Sequence, residues 1–194
     1  MDKINNLLTK MWNDYIELTP QAKKIVELLE SRGELVENDH IALRTFDIPE
    51  VCIDVLAKPF LDSGYVEGGD YHFEEKKLYA KHFEHPNKSL PKVFISQLLI
   101  GQFSSDFQMI VKKMISSLKP TDISSFEFMI SGRTWEVSSS EYERLQSESE
   151  YGAWLSAIGY RTNHFTIFIN KLKNFKSVES LNTFLKEEGF KLNS

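Results

Sequence analysis

Apolar positions along the first third of the chain change their period twice. From Ile4 to Ile16 the residues Leu7, Leu8, Met11, Trp12 and Tyr15 recur at helical spacing, which predicts an amphipathic helix stopping near Leu18. Thr19 before Pro20 reads as an N-cap and first-turn pair, and Ile25, Leu28 and Leu29 carry a second helix to a stop at Gly33. The period then drops to two. Asn38-Asp39-His40-Ile41-Ala42-Leu43-Arg44-Thr45-Phe46 reads as a strand, and residues 49–63 as a helix closed by Gly64. Residues 65–67, 71–83 and 93–99 are rich in aromatic and β-branched side chains. The turn signals Gly68-Gly69 and Pro86-Asn87 divide them into strands of one sheet. A helix over 105–118 follows, with Pro120 after it, and Ser139 or Ser140 caps another that runs to Gly159.

The strand-helix pattern then returns. Thr162-Asn163-His164-Phe165-Thr166-Ile167-Phe168-Ile169 is strand-like, and Val178, Leu181, Phe184 and Leu185 mark a helix that ends at Gly189. His40 precedes Gly64 by 24 residues and His164 precedes Gly189 by 25, and an aromatic residue follows each glycine (Tyr65, Phe190). This is an internal repeat with a histidine at the same place in each copy. The second copy reads as unfinished, with only four residues after Phe190. A truncated product, an excised fragment or a sheet completed by a partner, a second copy of this chain among them, each account for that, and an open edge strand invites association.

Composition narrows the function classes. The chain has 194 residues, 41% hydrophobic and 26% charged, which suits a folded globular domain. A net charge of −5 with no basic run argues against a nucleic-acid partner. Residues 1–33 mix charges into their apolar pattern, so neither a signal peptide nor a membrane span is expected there, and the expected location is the cytoplasm. Cys52 is the single cysteine, which rules out an internal disulfide and a cysteine-based zinc site. A metal would have to use histidine, carboxylates or water.

Alternation along a strand places His40, Ala42 and Arg44 on one face and Ile41, Leu43 and Thr45 on the other. In the repeat, His164 and Thr166 share a face opposite Phe165 and Ile167. If the two units pair with pseudo-symmetry, both imidazoles meet across a shared cleft, where a carboxylate would complete the ligand set of a non-haem Fe(II) oxygenase or of a zinc site. The alternative is a pair of half-buried strand histidines bonded to backbone. Arg44 lies four residues beyond His40, roughly 13 Å along the strand. Its planar fork suits a carboxylate ligand, and a structural salt bridge is its alternative role. His72, His82 and His85 read as solvent-exposed rather than as a metal site, because the spacing of His82 and His85 places them on opposite strand faces among charged neighbours. Cys52 reads as a buried structural thiol within the helix over 49–63, and no nucleophilic triad or phosphate-binding loop is visible.

The block Asn38 to Phe46, together with Tyr160-Arg161-Thr162-Asn163-His164-Phe165-Thr166, resembles the metal-ligand segments of the 2-oxoadipate dioxygenase/decarboxylase (2-hydroxyglutarate synthase) family. The resemblance runs over nearly the whole chain. It implies an α+β, vicinal-oxygen-chelate-like fold of paired βαβββ modules with extra helices. The expected organisation is one domain, 1–194: N-terminal helices (1–33), a first module (34–100), a helical insertion (101–159) and the start of an incomplete second module (160–194). It also implies that His40 and His164 bind Fe2+, and that Arg44 holds the 2-oxo acid as a catalytic and substrate-binding residue beside His40. The implied reaction converts 2-oxoadipate and O2 to 2-hydroxyglutarate and CO2, a step of lysine breakdown. The family's metal-binding glutamate lies well downstream of the second histidine, and Glu74, Glu75 and Glu84 are the acidic residues considered in its place. A non-catalytic metal or small-molecule binding module, or an inactive truncated homologue, is the competing expectation.

Overall fold

A computed structural model describes residues 2–123 and 125–192. Two helices, α1 (Asp2–Leu18) and α2 (Pro20–Ser31), lead into β1 (Asn38–Phe46). Pro20 occupies the first turn of α2 as expected, but the side chain of Thr19 does not cap it. The helix after β1, α3 (Ile53–Leu61), starts later than its apolar pattern suggests, because a turn closed by Val51 N–H donating to Ile48 O (2.9 Å) intervenes. Cys52 is therefore the N-cap residue of α3, half-buried rather than buried, with Sγ 3.7 Å from Pro49 O.

Three strands follow: β2 (Val66–Phe73), β3 (Leu78–Glu84) and β4 (Lys92–Leu98). Gly68-Gly69 is not a turn between strands. It is an irregularity inside β2, where the register against β3 shifts between Glu67 and Gly69. A Cβ on Gly68 would sit 2.3 Å from His82 Nε2, so the missing side chain makes room for an imidazole on the neighbouring strand. The chain reverses instead at residues 74–77, where Lys77 has a φ of 52°.

The sheet order is β2-β3-β4-β1-β5, with β5 (His164–Ile167) antiparallel to β1, and β1 parallel to β4. A parallel pair needs a crossover, and α3 with the β2–β3 hairpin supplies it. Ile41, Leu43, Phe83, Val93 and Ile95 belong to the main core together with Leu56, Ala57 and Phe60 of α3. Each fully buried large apolar side chain there contributes about 1.5–3 kcal/mol. A smaller cluster (Leu29, Leu172, Leu181, Leu185) packs α8 (Val178–Glu187) onto α2. Below it Glu34 accepts from the N–H groups of Lys173 and Asn174 at 2.6 and 2.8 Å.

The internal repeat is real at the level of hydrogen bonds. After α3, Gly64 N–H donates to Leu61 O and Tyr65 N–H to Phe60 O; after α8, Gly189 N–H donates to Lys186 O and Phe190 N–H to Leu185 O. Both glycines have positive φ, 97° and 90°, the left-handed stop that lets the next residue turn back onto the helix.

Between the modules lie α4 (Ser105–Ser116), the short α5 (Pro120–Ile123), α6 (Ser139–Glu148) and α7 (Glu150–Ile158). The expected single helix up to Gly159 is two. Ser138 caps α6 in a capping box with Glu141, and Ser149, extended at φ −156°, ends α6 and caps α7 through Gly152 N–H. Gly159 closes α7 and stacks against Gly132, whose backbone bridges Tyr160 on both sides at 3.0 and 3.1 Å. A Cβ at Gly159 would fall 2.2 Å from Gly132 O, at φ 79° and ψ −157°. Gly159→Ala is expected to destabilise the protein by roughly 3 kcal/mol, since the conformation suits glycine alone and the facing group is backbone. Calorimetry should show the melting temperature falling by about 6–12 °C.

Among the described residues no helix is long and apolar enough to cross a membrane.

Candidate active site at the junction of the modules

His164 pairs with Ala42 across the β1–β5 ladder, which puts His164 on the same face as His40, Ala42 and Arg44. The two imidazoles meet, with ring centroids 5.8 Å apart and planes at 78°. The ladder is irregular between Asn38 and Ile41, and the Thr166 hydroxyl fills the gap. It accepts from His40 N–H and donates to His40 O, both at 3.0 Å, which fixes the backbone that carries the first imidazole.

Each ring is oriented by the residue before it. His40 Nδ1 lies 2.8 Å from Asp39 Oδ2, and His164 Nδ1 lies 2.9 Å from Asn163 Oδ1. Carboxylate and amide oxygens only accept, so these contacts favour the tautomers with the proton on Nδ1 and Nε2 open to a metal ion, and His40 Nδ1 also lies 2.9 Å from the Thr166 hydroxyl. This tautomer selection by an outer partner is the usual support of a histidine ligand. Burial, then the neighbouring His40 and Arg44, push the His164 pKa below the ordinary imidazole value, which favours the neutral, ligating form. The donor set thus fits a divalent cation held by two imidazoles with open positions. Among the described residues no third His, Cys, Asp or Glu joins the pair. Glu84 is committed to Lys88 and Lys92 at 2.9 and 2.7 Å, which hold its carboxyl at about 2, while Glu74 and Glu75 lie in the exposed β2–β3 turn. Asn163→Ala should lower divalent-metal affinity by about tenfold, the scale of losing an outer partner, with secondary structure unchanged. Titration calorimetry of wild type and variant checks this.

Arg44 is half-buried between two rings of α7, its Cζ 4.7 Å from the Tyr151 centroid and 5.0 Å from that of Trp154. It makes no ion pair among the described residues, so the salt-bridge role does not apply, and burial lowers its pKa. Tyr151 itself is pinned into the sheet. Its hydroxyl accepts from Thr45 N–H (3.0 Å) and donates to Ser96 O (2.6 Å), tying α7 to both β1 and β4. A cavity of about 420 Å3 opens on this face, lined by Ala42, Arg44, Phe94, Ser96, Tyr151 and His164. A larger, apolar groove of about 600 Å3 lies among α1, α2 and β5, where Phe165 packs on Trp12 and Tyr15, on the face away from the imidazoles.

His82 and His85 are half-buried, not exposed. His82 Nδ1 meets Tyr71 Oη at 3.0 Å. His85 Nδ1 accepts from Asn87 N–H at 2.9 Å, and its ring packs on Tyr65. Their charged neighbours signal exposure in the sequence but form ion pairs over the hairpin, as Lys81 does with Asp54 and Glu67 at 3.2 Å. Sequence reasoning also missed Asp39, Asn163, Tyr151 and Trp154. The repeated Asx-His dipeptide was the available signal for the first two, and the i, i+3 aromatic pair for the others.

A βαβββ module joined edge to edge to the first strand of a second, with a histidine on each joining strand, is a vicinal-oxygen-chelate-like fold. The chain belongs to the 2-oxoadipate dioxygenase/decarboxylase family, whose sequence pattern matches residues 2–129, His40 and Arg44 included. A chloroplastic 2-oxoadipate dioxygenase/decarboxylase of Arabidopsis thaliana is 39% identical over 97% of this chain and 55% of its own length. The chain thus spans about half the length of the curated relatives it matches. Among solved structures, a protein of Shewanella frigidimarina described as a hydrolase superposes with a TM-score of 0.95 at 50% identity, over 98% of this chain and 75% of that one. The hydroxyglutarate synthase of Oryza sativa, solved in complex with 2-oxoadipate, superposes with a TM-score of 0.89 at 34% identity, over 97% of this chain and 65% of that one.

Proposed function

We propose that this junction is the 2-oxo acid site of an Fe(II)-dependent dioxygenase that converts 2-oxoadipate and O2 to 2-hydroxyglutarate and CO2. The observation that carries the reading is the placing of a half-buried arginine with no ion pair and two imidazoles with free Nε2 atoms on one face of the sheet, with Arg44 and His164 lining one cavity. The family membership and the relative solved with 2-oxoadipate support the same substrate.

His40 and His164 would hold the ion, and the resemblance implies a third, carboxylate ligand downstream of the second histidine that has no counterpart among the described residues. Ferrous iron held there would supply the redox chemistry with O2 by which the substrate's carboxyl is lost as CO2. The chain's residues do the positioning. Arg44, already stacked between Tyr151 and Trp154, offers its fork to a carboxylate without reorganising, which is where binding energy becomes orientation. Phe94 and Tyr151 line the walls of the cavity beside it. The reaction balances, since one substrate carbon leaves as CO2 and both atoms of O2 end in the products. The competing class, a binding module without catalysis, is favoured by one observation, that no third His, Cys, Asp or Glu joins the histidine pair among the described residues.

The test is O2 uptake by the protein loaded anaerobically with Fe(II), on addition of 2-oxoadipate, with 2-hydroxyglutarate measured in the same vessel. One equivalent of product per O2 consumed is expected. Tight iron binding with neither uptake nor product would contradict the dioxygenase reading.

A further inference from the structure

Neighbouring side chains on a regular strand point to opposite faces, yet Asp39 and His40, both inside β1, meet at 2.8 Å. The irregularity in the β1–β5 ladder makes this contact. Asn38 pairs with Ile167 and Ile41 with Phe165, so Asp39 and His40 together face the single residue Thr166. That is a bulge, and its extra residue re-aims the side chains it carries. His164 meets its own partner without one, because it opens β5 and Asn163 lies before the strand.

A bulge leaves ladder groups without their ordinary partners, and here the Thr166 hydroxyl replaces them. A hydroxyl has one proton and two lone pairs. The proton goes to His40 O (3.0 Å), one lone pair accepts from His40 N–H (3.0 Å), and the other faces His40 Nδ1 at 2.9 Å. With the imidazole proton on Nδ1, as the Asp39 carboxylate favours, these contacts are all satisfied at once. With the proton on Nε2, Nδ1 would need a donor, and the hydroxyl's one proton is already on His40 O. The internal repeat shows what sets the position apart. Aligning His40 with His164 places Ala42 where the other copy has Thr166. Around Ala42 the ladder is regular: it pairs with His164, its O accepts from Asn163 N–H at 2.8 Å, and a methyl group suffices.

We propose that Thr166 is a positioning residue of the metal site, whose hydroxyl staples the bulge that turns Asp39 onto His40 and fixes the His40 imidazole with Nε2 toward the ion. The strand β5 thus supplies one ligand, His164, and two residues on the support of the other. The inference rests on the metal-site reading of the junction and adds the element that holds the two imidazoles in one geometry.

Zinc alone tests it, without substrate or turnover. Thr166→Val keeps the side-chain shape and loses the hydroxyl. Titration calorimetry should show it binding Zn2+ about 10–100-fold more weakly than wild type, the range of losing an outer partner. Thr166→Ser keeps the hydroxyl and should stay within about threefold of wild type. Thermal melts of the metal-free forms read the structural cost separately. Nitrogen NMR spectra of the metal-free proteins, in mildly alkaline buffer where imidazoles are neutral, supply a signature that a ladder-filling role would not move. His40 should carry its proton on Nδ1 in wild type and shift toward the Nε2 form in Thr166→Val. A Thr166→Val protein that melts lower but binds zinc like wild type overturns the proposal, since the hydroxyl then closes the ladder and nothing more. Wild-type His40 with its proton on Nε2 overturns it too, and that spectrum decides even where Thr166→Val does not fold. Absence of zinc binding by wild type is a different failure, because it removes the metal-site reading and this proposal with it.

Discussion

His164→Ala is expected to reduce divalent-metal affinity by more than about 100-fold while the fold survives. The magnitude comes from the geometry. Outer partners such as Asn163 typically carry a factor of 10–100, and removing an imidazole removes both the ligand and the purpose of its partner. The ring is half-buried at a sheet edge, so truncation opens solvent-accessible space rather than a sealed cavity, and the stability cost should be near the ordinary 1 kcal/mol of a point change. Fe(II) or Zn(II) titration followed by calorimetry, with a thermal melt of the apo forms, separates the two effects. A variant that binds metal like wild type would remove His164 from the site. One that no longer folds would give it the structural role that a strand histidine bonded to backbone has.

Arg44→Ala is expected to weaken 2-oxo acid binding by about 100-fold with metal affinity unchanged. A bidentate charge-assisted pair in a partly desolvated site contributes about 1.5–3 kcal/mol, which is a factor of roughly 10–150. Arg44→Lys should recover only part of it. A lysine has neither the planar group that stacks between Tyr151 and Trp154 nor the fork that grips two oxygens. Loss of metal together with substrate would make Arg44 a support for the imidazoles rather than a clamp.

The strand that carries the site was readable because it is simple. A period of two from Asn38 to Phe46 placed His40 and Arg44 on one face, and the second Asx-His strand placed His164 in the matching position. The glycine stops after α3 and α8 were readable for the same local reason, since left-handed backbone has a short list of residues. The unreadable features depend on contacts distant in sequence. Nothing near Arg44 says that its counterparts are two aromatic rings more than 100 residues later, delivered by a helical insertion whose Tyr151 hydroxyl docks into β1 and β4. Gly68-Gly69 carries a turn signature, and only the His82 ring against it turns that signature into a bulge. Ser149 breaks a helix that the apolar pattern would let run on, because its side chain is better suited to capping α7 than to extending α6.

The most direct test of the account is a crystal structure of this chain soaked anaerobically with Fe(II) and 2-oxoadipate. The account predicts metal density between His40 Nε2 and His164 Nε2, with both Nδ1 atoms still on Asp39 and Asn163, and a carboxylate of the acid on the Arg44 guanidinium. An ion bound elsewhere, or an acid seated in the apolar groove between α1 and α2 with Arg44 untouched, would contradict it.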